Sequence, residues 1–128
     1  MKLLIDTHLL LWAADETERL SAKALALLSD AGNSLMFSSV NIWEIVVKRN
    51  LNRSDFAVDP FRFRADLLAN GYEEISVTSA HALALVGLPL IHRDPFDRLL
   101  IAQAMAEDAV LVTADTLIAR YPGPILKV

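Results

Sequence analysis

Short apolar runs alternate with apolar stripes at helical spacing along most of the chain. Lys2–Ile5 is a run suited to a buried strand and stops at Asp6, and Thr7–Ala14 then reads as a helix. Ser21–Ala31 has clear helical spacing, with Gly32 as its stop. Leu35–Ser38 suits a second strand. Val40–Arg49 suits a helix opened by Ser39, although Val46 and Val47 also favour a strand. Asn50–Asp59 is polar and reads as a loop, followed by a helix over Pro60–Asn70 that Gly71 ends. The pattern then predicts a strand at Glu74–Val77 and a helix at Ser79–Val86, stopped by Gly87 and Pro89. Pro95–Glu107 is the clearest helix, Val110–Thr113 a strand, Thr116–Arg120 a short helix and Ile125–Val128 a last strand. Strands alternating with helices predict an α/β fold with a mostly parallel sheet, because parallel neighbours need crossover connections. No repeat, low-complexity tract or long Gly/Ser linker breaks the pattern, so one domain over residues 1–128 is expected.

Composition sharpens this picture. At 128 residues the chain is long enough for one core, yet 54% of it is hydrophobic, above the usual share. That excess predicts a homodimer or a protein partner that covers an apolar patch. With 16 acidic and 12 basic side chains the net charge is −4, which argues against holding nucleic acid by bulk electrostatics. An enzyme that meets nucleic acid through metal ions and a few arginines stays open. Cysteine is absent, which excludes disulfides, zinc–thiolate sites and thiol catalysis, and suits a reducing cytoplasm. The opening MKLLIDTHLLLWAA has the lysine and leucines of a secretory signal, but Asp6 and His8 interrupt its apolar run. No stretch reaches membrane-spanning length, so a cytoplasmic protein without membrane contact is expected.

In parallel α/β sheets, ligands bind outside the carboxyl ends of the strands. Asp6 follows LLI there, and Asp115 follows LVTA. Each has two readings, a helix N-cap or a site acid, and their shared location strengthens the second. Glu44 lies with Val40, Trp43 and Val47 at i, i+3, i+4 and i+7 of an apolar stripe. It is either an exposed partner of Lys48 or a buried carboxylate that needs a partner, and the second is favoured. In HRDPFDRLLIAQA, Asp94 before Pro95 is the natural N-cap of a helix. Asp97 either complements the helix dipole or, aligned with Leu100, Ile101 and Ala104, points inward from the helix tip. If Asp6, Glu44, Asp97 and Asp115 meet, they repel one another until a hard cation joins them. Oxygen ligands without Cys or paired His suit Mg²⁺ or Mn²⁺, ions that support phosphodiester cleavage.

DTHLLLW (Asp6–Trp12), SVNIWEIVVK (Ser39–Lys48), HRDPFDRLLIAQA (His92–Ala104) and LVTAD (Leu111–Asp115), in this order and spacing, resemble PIN-domain ribonucleases. Among these they are most similar to the VapC-type toxins of bacterial toxin–antitoxin pairs. The resemblance implies a three-layer α/β/α domain that cleaves RNA with Mg²⁺ or Mn²⁺. It puts catalytic and metal-binding roles on Asp6, Glu44, Asp97 and Asp115, and implies an antitoxin partner and a homodimer. His8 stands where other branches carry Asn, either as a local packing and hydrogen-bonding residue or as a ligand. Within this reading Thr113 either orients a ligand carboxylate or is an ordinary strand threonine, and Ser39 and Asp94 either support the site or only cap helices. Arg93 and Arg98 either contact RNA phosphates or balance the nearby aspartates, with Lys48 in a further basic group. Two alternatives remain: a phosphatase or phospho-accepting domain using Asp6, and a non-catalytic binding module with this fold.

Overall fold

The computed structural model describes all 128 residues. Strand β1 (Lys2–Ile5) buries Leu3, Leu4 and Ile5 completely, as a central strand covered on both faces must. It is followed by helices α1 (Thr7–Asp15) and α2 (Ala22–Ser29), strand β2 (Ser34–Ser38), and helices α3 (Ser39–Asn50) and α4 (Pro60–Ala69). Strand β3 (Glu73–Ile75), helices α5 (Ser79–Ala84) and α6 (Pro95–Ala106), and strands β4 (Val110–Thr113) and β5 (Ile125–Lys127) complete the chain.

The five strands lie in the order β3-β2-β1-β4-β5, and every neighbouring pair is parallel. Alternation along β1 divides the core. Leu3 and Ile5 join Leu9 and Leu10 of α1, Ala24 of α2 and Phe63 of α4 on one face. Leu4 joins Leu100, Ile101 and Ala104 of α6 on the other. The result is a three-layer α/β/α sandwich. The chain travels outward from β1 through β2 and β3, then returns to the far side of β1 as β4 and β5. The carboxyl ends of β1 and β4 therefore flank the point where strand order reverses, the usual place for a ligand site. No helix is long and apolar enough to cross a membrane.

Several element boundaries differ from the sequence pattern for identifiable reasons. The cap of α3 is Ser38 rather than Ser39: its hydroxyl accepts from Val40 N–H at 3.0 Å, and its own N–H donates to Asn41 Oδ1 at 2.6 Å. The buried residues of α3 are Val40, Asn41, Glu44 and Ile45, while Trp43 stands on the exposed side with its edge against Phe96. Helix α2 stops at Ser29 because Asp30 Oδ1 takes the Gly32 N–H at 2.8 Å and closes a turn early. Strand β3 starts one residue early and ends at Ile75, where its pairing with Ser38 finishes. After α5, Leu85–Gly87 tightens into a 3₁₀ turn. The helix expected at Thr116–Arg120 is only a 3₁₀ turn over Ile118–Arg120, cut short before Pro122.

Candidate active site

The pairing of Ile5 with Val112 sets Asp6 beside Thr113 at the carboxyl edge of the sheet. Asp6 is 4% exposed and caps α1, with Oδ1 accepting the His8 N–H at 3.0 Å. Its Oδ2 accepts the Thr113 hydroxyl, so both oxygens are held. Burial pushes the Asp6 carboxyl above its ordinary range, against the opposing hydrogen bonds from Thr113 and the His8 N–H. Thr113 Oγ1 also accepts the Asp115 N–H at 3.0 Å, fixing the loop that carries the next acid. Asp115 Oδ1 takes the N–H groups of Leu117 and Ile118 at 2.7 and 3.1 Å. Its other oxygen faces His92 Nε2 at 3.9 Å.

Glu44 enters from α3 and is 1% exposed. Its Oε1 accepts from Thr7 Oγ1 at 2.6 Å, and its Oε2 pairs with Lys48 Nζ at 2.5 Å. The i,i+4 pair with Lys48 is therefore real but enclosed, not the exposed pair considered from sequence. Thr7 Oγ1 in turn accepts from Asn41 Nδ2 at 2.8 Å.

Helix α6 supplies the remaining acids. Asp94 Oδ1 caps the helix through the Phe96 and Asp97 N–H groups at 2.9 and 3.3 Å, and its Oδ2 lies 3.2 Å from Lys48 Nζ. Asp97 is buried at the helix tip, with Oδ2 3.0 Å from His92 Nε2. Two groups of donor atoms result, each spanning at most 4.8 Å: His92, Asp97 and Asp115, and Glu44, Asp94 and Asp97. Asp97 belongs to both. Burial, together with the charges of Asp6, Asp94 and Glu44, pushes its carboxyl up to about 9, with Lys48 opposing. A divalent cation would relieve that repulsion, and a set of carboxylates with one imidazole fits Mg²⁺ or Mn²⁺.

Other sequence candidates have different surroundings. Ser39 makes no side-chain hydrogen bond to any of the acids, its capping role having passed to Ser38. Arg98 and Lys48, expected at RNA phosphates, are committed to the protein. Arg98 donates to Pro89 O at 2.8 Å, Tyr121 Oη at 3.0 Å and Leu88 O at 3.3 Å, clamping the loop before α6. Lys48 is held between Glu44 and Asp94. Arg93 alone of the three is exposed and makes no ion pair. His8 stacks edge-on to Phe56 and pairs with Asp55 Oδ2 at 3.2 Å, a packing and hydrogen-bonding position. The pattern of acids gave no role to His92, Asn41 or Thr7. Asn41 was detectable as the residue one turn before Glu44 on the same face; His92 needs the loop conformation.

An open groove of about 860 Å³ lies apart from the clustered acids, between α1, α2 and α4, with Leu10, Leu28, Phe63 and Leu67 as well as Asp15, Asp59, Arg62 and Asp66 among its walls. Residues 3–124 match the family profile of the PIN domain. The chain belongs to the PIN domain family. This PIN domain is similar to the ribonuclease VapC22 of Mycobacterium tuberculosis, with 29% identity over 125 residues covering 95% of each protein. Its fold is similar to a chain of the VapBC2 crystal structure from Rickettsia felis, bound to a DNA fragment from their promoter. There the TM-score is 0.72 at 18% identity, covering 99% of this PIN domain and 98% of that chain. A toxin–antitoxin complex from Klebsiella pneumoniae gives a TM-score of 0.63 at 17% identity, covering 98% and 96%. In this PIN domain Asp6 and Asp115 stand past the strand ends where α/β sheets bind ligands, while Glu44 and Asp97 come from α3 and α6.

Proposed function

We propose that this PIN domain is a Mg²⁺- or Mn²⁺-dependent endoribonuclease and the toxin of a toxin–antitoxin pair. The observation that carries the reading is Asp97, buried among like charges with its carboxyl pushed up to about 9. Strongly displaced carboxyls of this kind are characteristic of functional sites. Asp6, Glu44, Asp97 and Asp115 would form the acidic site that takes up the ion, with Thr113, Thr7 and the Asp94 cap keeping their carboxylates oriented. Bound there, the ion supplies water activation and charge stabilisation at a phosphodiester. Asp97 gives up its proton on uptake of the ion, and Arg93 meets a substrate phosphate from the rim. RNA is the substrate by similarity to the relative named a ribonuclease.

The partner is an antitoxin, as the names of the structural relatives support. The groove between α1, α2 and α4 offers it a seat of mixed apolar and charged walls. Self-association would cover Trp43 and Phe61, which are 55% and 88% exposed. A cysteine-free chain acting on RNA suits the cytoplasm. Phosphoryl transfer to Asp6 is disfavoured, because both its oxygens already accept hydrogen bonds and the side chain is buried. The test is incubation of labelled RNA with wild type, Asp6→Asn and Asp97→Asn, with Mn²⁺ or with EDTA. Cleavage by wild type with Mn²⁺ alone supports the reading; equal cleavage by all three, or cleavage that survives EDTA, overturns it.

A further inference from the structure

We propose that Lys48 is a resident cation that fills one of the two cation positions of the acidic cluster, so that each chain takes up one divalent ion rather than two. The inference rests on the metal-dependent reading above and adds to it the number of ions. The two donor groups share Asp97 but differ in what else they contain. The Glu44, Asp94 and Asp97 group already has a positive charge in place: Lys48 Nζ lies 2.5 Å from Glu44 Oε2 and 3.2 Å from Asp94 Oδ2. The ammonium is also walled by aromatic rings, 5.0 Å from the centre of Phe56 and 5.6 Å from that of Phe96. Its side chain is 15% exposed.

This position is fixed from several sides. Lys48 follows Glu44 by one turn on α3, so the two travel together, and Asp94 is pinned as the cap of α6. A dication between Glu44 and Asp94 would meet that ammonium at close range and have to expel it from its aromatic walls. The opposite group has no lysine or arginine within it. Its acceptors are Asp115 Oδ2 and the Asp97 carboxylate, which face only His92 Nε2, at 3.9 Å and 3.0 Å. A single ion belongs there.

The test is equilibrium dialysis of the full chain against saturating Mn²⁺, with manganese counted per chain and folding checked by circular dichroism. Wild type should hold one Mn²⁺, as should Lys48→Arg, whereas Lys48→Met should hold two. Lys48→Gln, which keeps a polar head on a shorter stem, should also rise to two and serves if the methionine variant does not fold. Two ions in wild type, or one in folded neutral variants, would overturn the inference while leaving the nuclease reading in place. No manganese in wild type would overturn both.

Discussion

The Thr7 hydroxyl donates to Glu44 Oε1 at 2.6 Å, tying the first residue of α1 to the middle of α3. Because Thr7 also accepts from Asn41, the hydroxyl is the joint of a buried chain running from Asn41 to the carboxylate. Removing it leaves Glu44 Oε1 without its buried donor and Asn41 Nδ2 with only the 3.4 Å bond to Ile5 O. Thr7→Val should lower unfolding free energy by ~1–3 kcal/mol in urea titrations, with reduced RNA cleavage, and Thr7→Ser should restore most of both.

Asp97 makes stability depend on pH in a defined direction. Its folded pKa of about 9 exceeds the unfolded value of about 3.9, so between those values the native chain holds a proton the unfolded chain lacks. Stability is then greatest at the acid end of this window and falls as pH rises through it. The slope from one such group is at most ~1.4 kcal/mol per pH unit. Melting in EDTA should show a lower Tm at pH 8.5 than at pH 6, and Asp97→Asn should flatten the trend. Uptake of Mn²⁺ at pH 7 should release protons, measurable by calorimetry in buffers of different ionisation enthalpy.

The two aspartates of HRDPFDR have unequal roles. Asp94 satisfies two N–H groups at the start of α6, so Asp94→Ala should cost about 0.5–2 kcal/mol in denaturant melts. Asp97→Asn should keep the fold and lose cleavage by at least ~100-fold, because a neutral amide removes the shared ligand.

Sequence pattern reached the architecture because β1, β2 and β4 are short, largely buried apolar runs, and Asp6 and Asp115 lie just past the ends of β1 and β4. The burial of Asp6, Glu44 and Asp97 was legible too, since Asp6 ends a strand and the other two lie on helix faces that turn inward. What it missed depends on tertiary geometry. Which of Ser38 and Ser39 caps α3 is settled by the reach of Asn41, and the side Trp43 occupies is settled by Phe96. Arg98 reads as a phosphate contact until the loop 88–92 and Tyr121 fold around it.

That difference between the arginines is itself testable. Arg98→Met should lower Tm, since it frees Pro89 O and Leu88 O, and Tyr121→Phe should do so in part. Arg93→Ala should leave Tm unchanged but raise KM for RNA and weaken the salt dependence of binding.

The most direct measurement is the end group left on cleaved RNA. Water activated at a metal ion leaves a terminal monophosphate on one fragment and a free hydroxyl on the other, whereas attack by the RNA's own 2′-hydroxyl leaves a 2′,3′-cyclic phosphate. Mass spectrometry of products from wild type with Mn²⁺ should show monophosphate ends, with no products from Asp97→Asn. Cyclic phosphate ends, or the same products from Asp97→Asn, would contradict a metal-dependent site built on these acids.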